Sequence, residues 1–176
     1  MTDAEFAQAV KRAAYLEGDF TLRSGKKSKY YLDKYLFETQ PELLRELGRR
    51  FAAHAHADID RIAGAELGAI ALAAATSLET GKPFVIVRNS KKAGYGTGKL
   101  IEGRIENGER VLLVEDIVTS GGQAIEAMKV LTDAGATVDK LVAVIDRQEG
   151  GREAIISAGY AFESLLTSAD LGIVKG

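Results

Sequence analysis

The sequence predicts an α/β fold: a central parallel sheet flanked by helices, with a small N-terminal hood of one helix and a hairpin. Three observations carry that expectation. From about residue 60, short β-branched runs (Ile62-Ala63, Phe84 to Val87, Val111 to Val114, Leu141 to Ile145) alternate with stretches of helical character. Those stretches are Ala69 to Ser77, Gly121 to Ala134 and Gly151 to Ala158. The runs are continuously apolar, as strands covered on both faces are. Finally, 176 residues at 46% hydrophobic and 27% charged suffice for one ordinary core.

Taken in order, Thr2-Asp3-Ala4-Glu5 has the spacing of a capping box, and Phe6, Val10 and Ala13 follow at helical intervals. A helix ending near Gly18 is expected. Phe20 to Leu22 and Tyr30 to Leu32 read as short strands around a hairpin loop, Ser24-Gly25-Lys26-Lys27. Thr39 with Pro41 marks a second helix start, and Leu43, Leu44, Leu47 and Phe51 supply its apolar stripe. Residues 1–176 contain no repeat, low-complexity segment or linker, so a single domain is expected, with residues 1 to about 40 as the hood.

Composition excludes several classes of function. Twenty-three Lys and Arg against 25 Asp and Glu give a net charge of −2, unlike a nucleic-acid coat protein. Cysteine is absent and only His54 and His56 are present, which leaves no thiolate or poly-histidine metal centre. The longest apolar run, Ala69 to Ala75, is far short of the roughly 20 residues a membrane helix needs. No signal peptide is visible after Met1, so a soluble, cytoplasmic protein is expected.

One segment does not read as scaffold. Arg88 to Arg104 holds Arg88, Lys91, Lys92, Lys99 and Arg104 against Glu102, together with four glycines and no apolar period. A solvated loop is the bland reading; the functional one is a mobile basic lid closing on an anionic ligand.

The strongest local signal is the strand Val111 to Val114 followed by Glu115-Asp116-Ile117-Val118-Thr119-Ser120-Gly121-Gly122. The hydroxyls of Thr119 and Ser120, the glycines and the N–H groups of a helix start suit a phosphate, with a dipole contribution of roughly 0.3–1 kcal/mol. Neither the triphosphate P-loop nor the dinucleotide fingerprint is present. Two acids just upstream suit a polyol or a divalent cation beside the phosphate. Strand geometry points neighbouring side chains apart, so a turn at Glu115-Asp116 is expected if both acids serve.

This segment resembles the phosphoribosyl-pyrophosphate (PRPP) motif of type I phosphoribosyltransferases. The resemblance implies that Glu115 and Asp116 take the ribose hydroxyls and that Thr119, Ser120, Gly121 and Gly122 take the 5′-phosphate. Three further segments are similar to the orotate-specific members. Phe20 to Asp33 resembles their N-terminal signature, which implies PRPP contact by Arg23 and an orotate pocket beside Tyr30 and Tyr31. Val142 to Gly151 places Arg147 just past a buried strand, where the resemblance implies that it holds the orotate carboxylate, with Thr119 nearby. A planar guanidinium suits a planar carboxylate. Arg88 to Gly103 resembles the family's catalytic loop, with Arg88, Lys91 and Lys92 meeting the pyrophosphate. Gly64-Ala65-Glu66-Leu67-Gly68 looks like the pyrophosphate loop.

The resemblance spans about Phe6 to Leu171. It implies Mg²⁺-dependent transfer of phosphoribose from PRPP to orotate, giving orotidine 5′-phosphate and pyrophosphate, the metal being held by PRPP and water rather than by direct protein ligands. Lys92, Arg88 and Asp116 are the implied catalytic residues. A homodimer with shared active sites is implied too, and no nucleic-acid or membrane partner. Departures from the family pattern are Asn89, where Lys is common, a Gly94-Tyr95 stretch in place of the loop histidine, and Leu67, where many longer members have Lys. Two rivals stand beside this reading: a purine or uracil phosphoribosyltransferase, and a PRPP-sensing regulator.

Overall fold

A computed structural model describes residues 1–21, 25, 27–89 and 99–173. The first helix, α1 (Asp3–Ala14), begins with the expected capping box: Glu5 N–H donates to Thr2 Oγ1 at 3.2 Å and Thr2 N–H to Glu5 Oε2 at 2.8 Å. It ends four residues earlier than the periodicity suggested. Tyr15 leaves the helix for extended backbone and stacks on Tyr30 with ring centroids 5.5 Å apart. The hairpin is therefore longer than expected, with β1 (Tyr15–Thr21) antiparallel to β2 (Lys27–Leu32) and an irregular register between Glu17 and Phe20.

A four-residue helix unforeseen in the sequence, α2 (Tyr35–Glu38), links the hairpin to α3 (Pro41–Ala52). The α/β part follows: β3 (Arg61–Ala65), α4 (Ala69–Thr80), β4 (Phe84–Val87), β5 (Ile101–Glu102), β6 (Arg110–Val118), α5 (Gly122–Asp133), β7 (Thr137–Asp146), α6 (Gly151–Ser157) and β8 (Phe162–Thr167). The six-stranded sheet has the order β5-β4-β3-β6-β7-β8. Every pairing is parallel except β4 with β5. That antiparallel edge leaves the sheet mostly parallel and flanked by helices, as expected. It also makes Ile101 and Glu102, near the end of the basic segment, a short strand with Ile101 buried against Val87. Strand β8 was also missed by its sequence pattern; Phe162 and Leu166 anchor it beside β7.

Alternation along β6 explains why its sequence is apolar throughout. Leu112 and Val114 face a core with Phe6 and Val10 of α1, Leu47 and Phe51 of α3 and Leu72 of α4. Val111 and Leu113 face the opposite core, with Met128 and Leu131 of α5 and Ile155 of α6. Each such fully buried side chain contributes roughly 1.5–3 kcal/mol by leaving water. No helix among the described residues is long and apolar enough to cross a membrane. His54 and His56 pair with Glu163 and Asp139 at 3.1 and 3.2 Å on the surface.

Candidate active site

The chain leaves β3 for β4 in one direction across the sheet and leaves β6 for β7 and β8 in the other. Their carboxyl ends therefore diverge and open a crevice, the place where open α/β sheets take ligands. A cavity of about 600 Å³ lies there. Its walls include Tyr31, Lys34, Glu66, Asn89, Glu115, Asp116, residues 117–124 and Arg147.

The two acids reach it without the expected turn. β6 runs on through Val118, still paired with β7, whereas its pairing with β3 stops at Gly64 and Val114. Past that point β6 has an open edge, and both Glu115 and Asp116 can reach the cavity around it. Their carboxyl oxygens accept from the backbone beside them: Asp116 N–H donates to Glu115 Oε1 at 3.1 Å and Ile117 N–H to Asp116 Oδ1 at 2.5 Å. Burial, then the neighbouring Asp116 charge, pushes the Glu115 carboxyl well above the usual carboxylate range. Asp116 is ion-paired instead, its Oδ2 lying 2.6 Å from Lys34 Nζ.

At the following turn, Thr119 and Ser120 are exposed and Gly121 takes a left-handed φ of 80° that favours glycine. No side chain caps α5, so its first N–H groups are left for a ligand. The start of α6 packs directly beneath: a Cβ on Gly151 would lie 2.5 Å from the Thr119 carbonyl oxygen.

Of the expected pyrophosphate loop, Gly64 and Ala65 are the end of β3, leaving Glu66, Leu67 and Gly68 as the connection to α4. Gly64 is tied to the helix, since a Cβ there would fall 2.3 Å from the Ala69 carbonyl oxygen. The Glu66–Leu67 peptide is cis, and Leu67 is exposed. Asn89 fastens this loop by donating its N–H to Glu66 Oε1 at 2.8 Å and its side-chain amide to the Glu66 carbonyl at 2.9 Å. Arg88 Nη1 stands 3.8 Å from Glu66 and 3.7 Å from Glu102.

At the other end, Arg147 follows β7 and its backbone N–H donates to the Val118 carbonyl at 2.9 Å. Its Nη2 donates to Tyr30 Oη at 3.3 Å and lies 3.0 Å from Glu149 Oε1, while its buried Nε has no hydrogen-bond partner. The tyrosines divide: Tyr31 lines the cavity and Tyr30 acts behind it, between Tyr15 and Arg147.

The model of the phosphoribosyl transferase domain family matches residues 37–159. Orotate phosphoribosyltransferase of Methanocella arvoryzae is 48% identical over 170 residues, covering 96% of this chain and 97% of that protein. The chain belongs to the orotate phosphoribosyltransferase family. Orotate phosphoribosyltransferase of Mycobacterium tuberculosis, solved in complex with Fe(III) dicitrate, superposes with a TM-score of 0.86 at 35% identity, covering 97% and 98% of the two chains. The same enzyme in complex with PRPP gives 0.82 at 34% identity, with the same coverage.

Of the expected site residues that are described, Tyr31, Ala65, Glu66, Glu115, Asp116, Thr119, Ser120, Gly121, Gly122 and Arg147 line this cavity, whereas Tyr30, Gly64, Leu67, Gly68 and Arg88 stand around it. Arg23, Lys91 and Lys92 lie outside the described residues. Two side chains were missed in the sequence, Lys34 and Glu38, and Asn89, noted there only as a departure from the family pattern, ties the loop after β3. Glu38 is buried behind Asp116, and burial, then the Asp116 charge, pushes its carboxyl up to about 8. Neither Lys34 nor Glu38 belongs to a motif; the one available signal was a charged residue at each end of the run Tyr35-Leu36-Phe37. Among the described residues no group of three or more His, Cys, Asp or Glu is arranged to hold a metal ion. Two carboxyls, one ion-paired and one driven toward protonation, fit a cation that arrives already ligated by substrate oxygens and water.

Proposed function

We propose that this chain transfers phosphoribose from PRPP to N1 of orotate, releasing pyrophosphate and forming orotidine 5′-phosphate, a step in making pyrimidine nucleotides. The observation that carries the choice of base is Arg147, whose guanidinium stands at the cavity wall opposite the loop after β3, held by Tyr30, with an unpartnered Nε. Hypoxanthine, adenine and uracil have no carboxylate to meet it.

In this reading the turn Thr119, Ser120, Gly121 and Gly122 receives the 5′-phosphate through hydroxyls and helix-start N–H groups. Glu115 and Asp116 meet the ribose hydroxyls, each carboxyl oxygen able to accept from one. The connection 64–68 lies along the pyrophosphate, and Arg23, Arg88, Lys91 and Lys92 supply its positive surroundings. Mg²⁺, carried in on PRPP, adds charge neutralisation at the leaving group. As the C1′–oxygen bond breaks, cationic character grows at C1′ and negative charge on the departing pyrophosphate, so catalysis is mainly electrostatic. Tyr31, Thr119 and Arg147 hold the orotate ring against C1′, with Tyr30 orienting the guanidinium. N1 of orotate is the nucleophile.

The whole chain works as one catalytic domain, with the N-terminal hairpin as its hood, in the cytoplasm. It works as a homodimer in which the basic segment near 88–104 of each copy covers the site of the other. Exposed Tyr31, Tyr35, Leu36 and Leu67, on elements bordering the crevice, support an apolar contact there. The test is loss of orotate ultraviolet absorbance on adding PRPP and Mg²⁺, with uracil and hypoxanthine as parallel acceptors. Turnover of orotate alone is expected; turnover of another base discards the Arg147 assignment.

A further inference from the structure

The crevice contains a cation that no motif announces. Lys34 directly precedes α2, and its side chain leaves the hood to enter the cavity wall. Its Nζ is 2.6 Å from Asp116 Oδ2, with the lysine side chain 33% exposed and the aspartate side chain 4%. The connection after β3 presses on the same pair. A Cβ on Gly68 would fall 1.9 Å from Asp116 Oδ2 and 3.2 Å from Lys34 Nζ. The ammonium therefore stands where the ribose acid meets the backbone of the pyrophosphate connection.

We propose that Lys34 is a substrate-contacting residue: in the empty site it holds Asp116, and when PRPP binds it bridges Asp116 and the pyrophosphate oxygens. This rests on reading the crevice as a PRPP site. Electrostatics favours it. Among the described residues lining the cavity the acids are Glu66, Glu115 and Asp116, and the cations are Lys34 and Arg147. Arg147 stands with Tyr30, so Lys34 is the lining cation beside the β3 connection. A polyanion entering three acids needs positive charge at that end.

The ammonium is also kept available. Burial works against it, but the charges of Asp116 and Glu115 outweigh that and its pKa is raised. Glu38, one helical turn along, holds its proton and does not compete as a second counter-ion. Tyr35 also faces Lys34, whose Nζ lies 5.4 Å from the ring centroid, and Asp33 acts on Glu38. Once the ribose hydroxyls satisfy Asp116, the three ammonium donors can divide between carboxylate and pyrophosphate without leaving their place.

The experiment compares wild type, Lys34→Met and Lys34→Arg. Lys34→Met should raise the KM for PRPP by about tenfold or more while the orotate KM stays within about twofold, and Lys34→Arg should recover most of the loss. A second measurement needs no variant. In the wild-type protein PRPP should slow acylation of Lys34, read by peptide mass spectrometry, whereas ribose 5-phosphate, lacking the pyrophosphate, should not. A PRPP KM unchanged in Lys34→Met, or both KM values rising together with a fall in Tm, would reduce Lys34 to a structural counter-ion. Equal labelling with either ligand overturns the bridge. Wild-type protein that fails to bind PRPP removes the site reading itself, and this proposal with it.

Discussion

The Arg147 guanidinium is 15% exposed and lies 3.0 Å from Glu149, so an incoming substrate carboxylate must displace one acid to reach it. Removing the guanidinium leaves that carboxylate desolvated without a partner. Arg147→Ala should therefore raise the orotate KM by the equivalent of about 2–5 kcal/mol while the PRPP KM changes little. Unchanged orotate kinetics would refute the assignment. Glu38 gives a second prediction, on stability. Its carboxyl is raised from 4.5 to about 8 in the fold, so the folded chain keeps a proton that the unfolded chain has released. Between those values rising pH favours unfolding, by up to about 1.4 kcal/mol per pH unit. Glu38→Gln should flatten that slope in denaturant titrations from pH 5 to 8; an identical slope in the variant would show that other groups set it. Arg147 was legible because it follows a buried strand in a recognisable segment. Lys34 and Glu38 were not, since one pairs with Asp116 and the other feels its charge, and Asp116 is far away in sequence.

Strand β6 shows how element lengths build the crevice. It outruns β3 by four residues beyond Val114, and that overhang brings both acids to one cavity although the strand does not turn. The alternation rule was sound, but which neighbour ends first is a property of the sheet and cannot be read from one strand. The long apolar runs and glycine-opened helices were legible for the opposite reason, because each carries its own period. Strand β5 has two residues and α2 four, too few for any period, and both exist through contacts with neighbours. The junction of α5 and α6 supports a paired prediction. Gly151→Ala would put a methyl 2.5 Å from the Thr119 oxygen and Val118 Cγ1, and should cost about 1–3 kcal/mol of stability along with PRPP affinity. Gly122→Ala meets nothing within 4 Å, so Tm should hold while the methyl crowds the phosphate and the PRPP KM rises. Thermal melts paired with PRPP titrations separate the two, and equal melting temperatures would show that the α6 start yields.

At the scale of the whole molecule, the proposed reaction calls for positive charge beyond the described lining of the crevice. The described lining offers three acids against Lys34 and Arg147, whereas the segment from Arg88 to Arg104 carries five cations and one acid. Its two ends are fixed to the sheet, Arg88 N–H donating to the Leu100 carbonyl at 2.8 Å and β5 following at once, so the basic residues between them leave from and return to one edge. That edge is two strands removed from β6, on the far side of β3 from the phosphate turn. Asn89, at the start of the segment, lines the cavity of its own chain, so two inactive variants are needed to test the proposed supply of the segment by a second copy. Lys92→Ala, with an intact crevice, and Asp116→Asn, with an intact segment, should each be nearly inactive and keep a dimer. Mixed and allowed to exchange subunits, half the dimers become hybrids, each with one intact crevice facing one intact segment. Activity should then return to about a quarter of wild type. If each segment serves its own chain, every hybrid site carries a defect and mixing restores nothing, which would overturn the shared-site proposal.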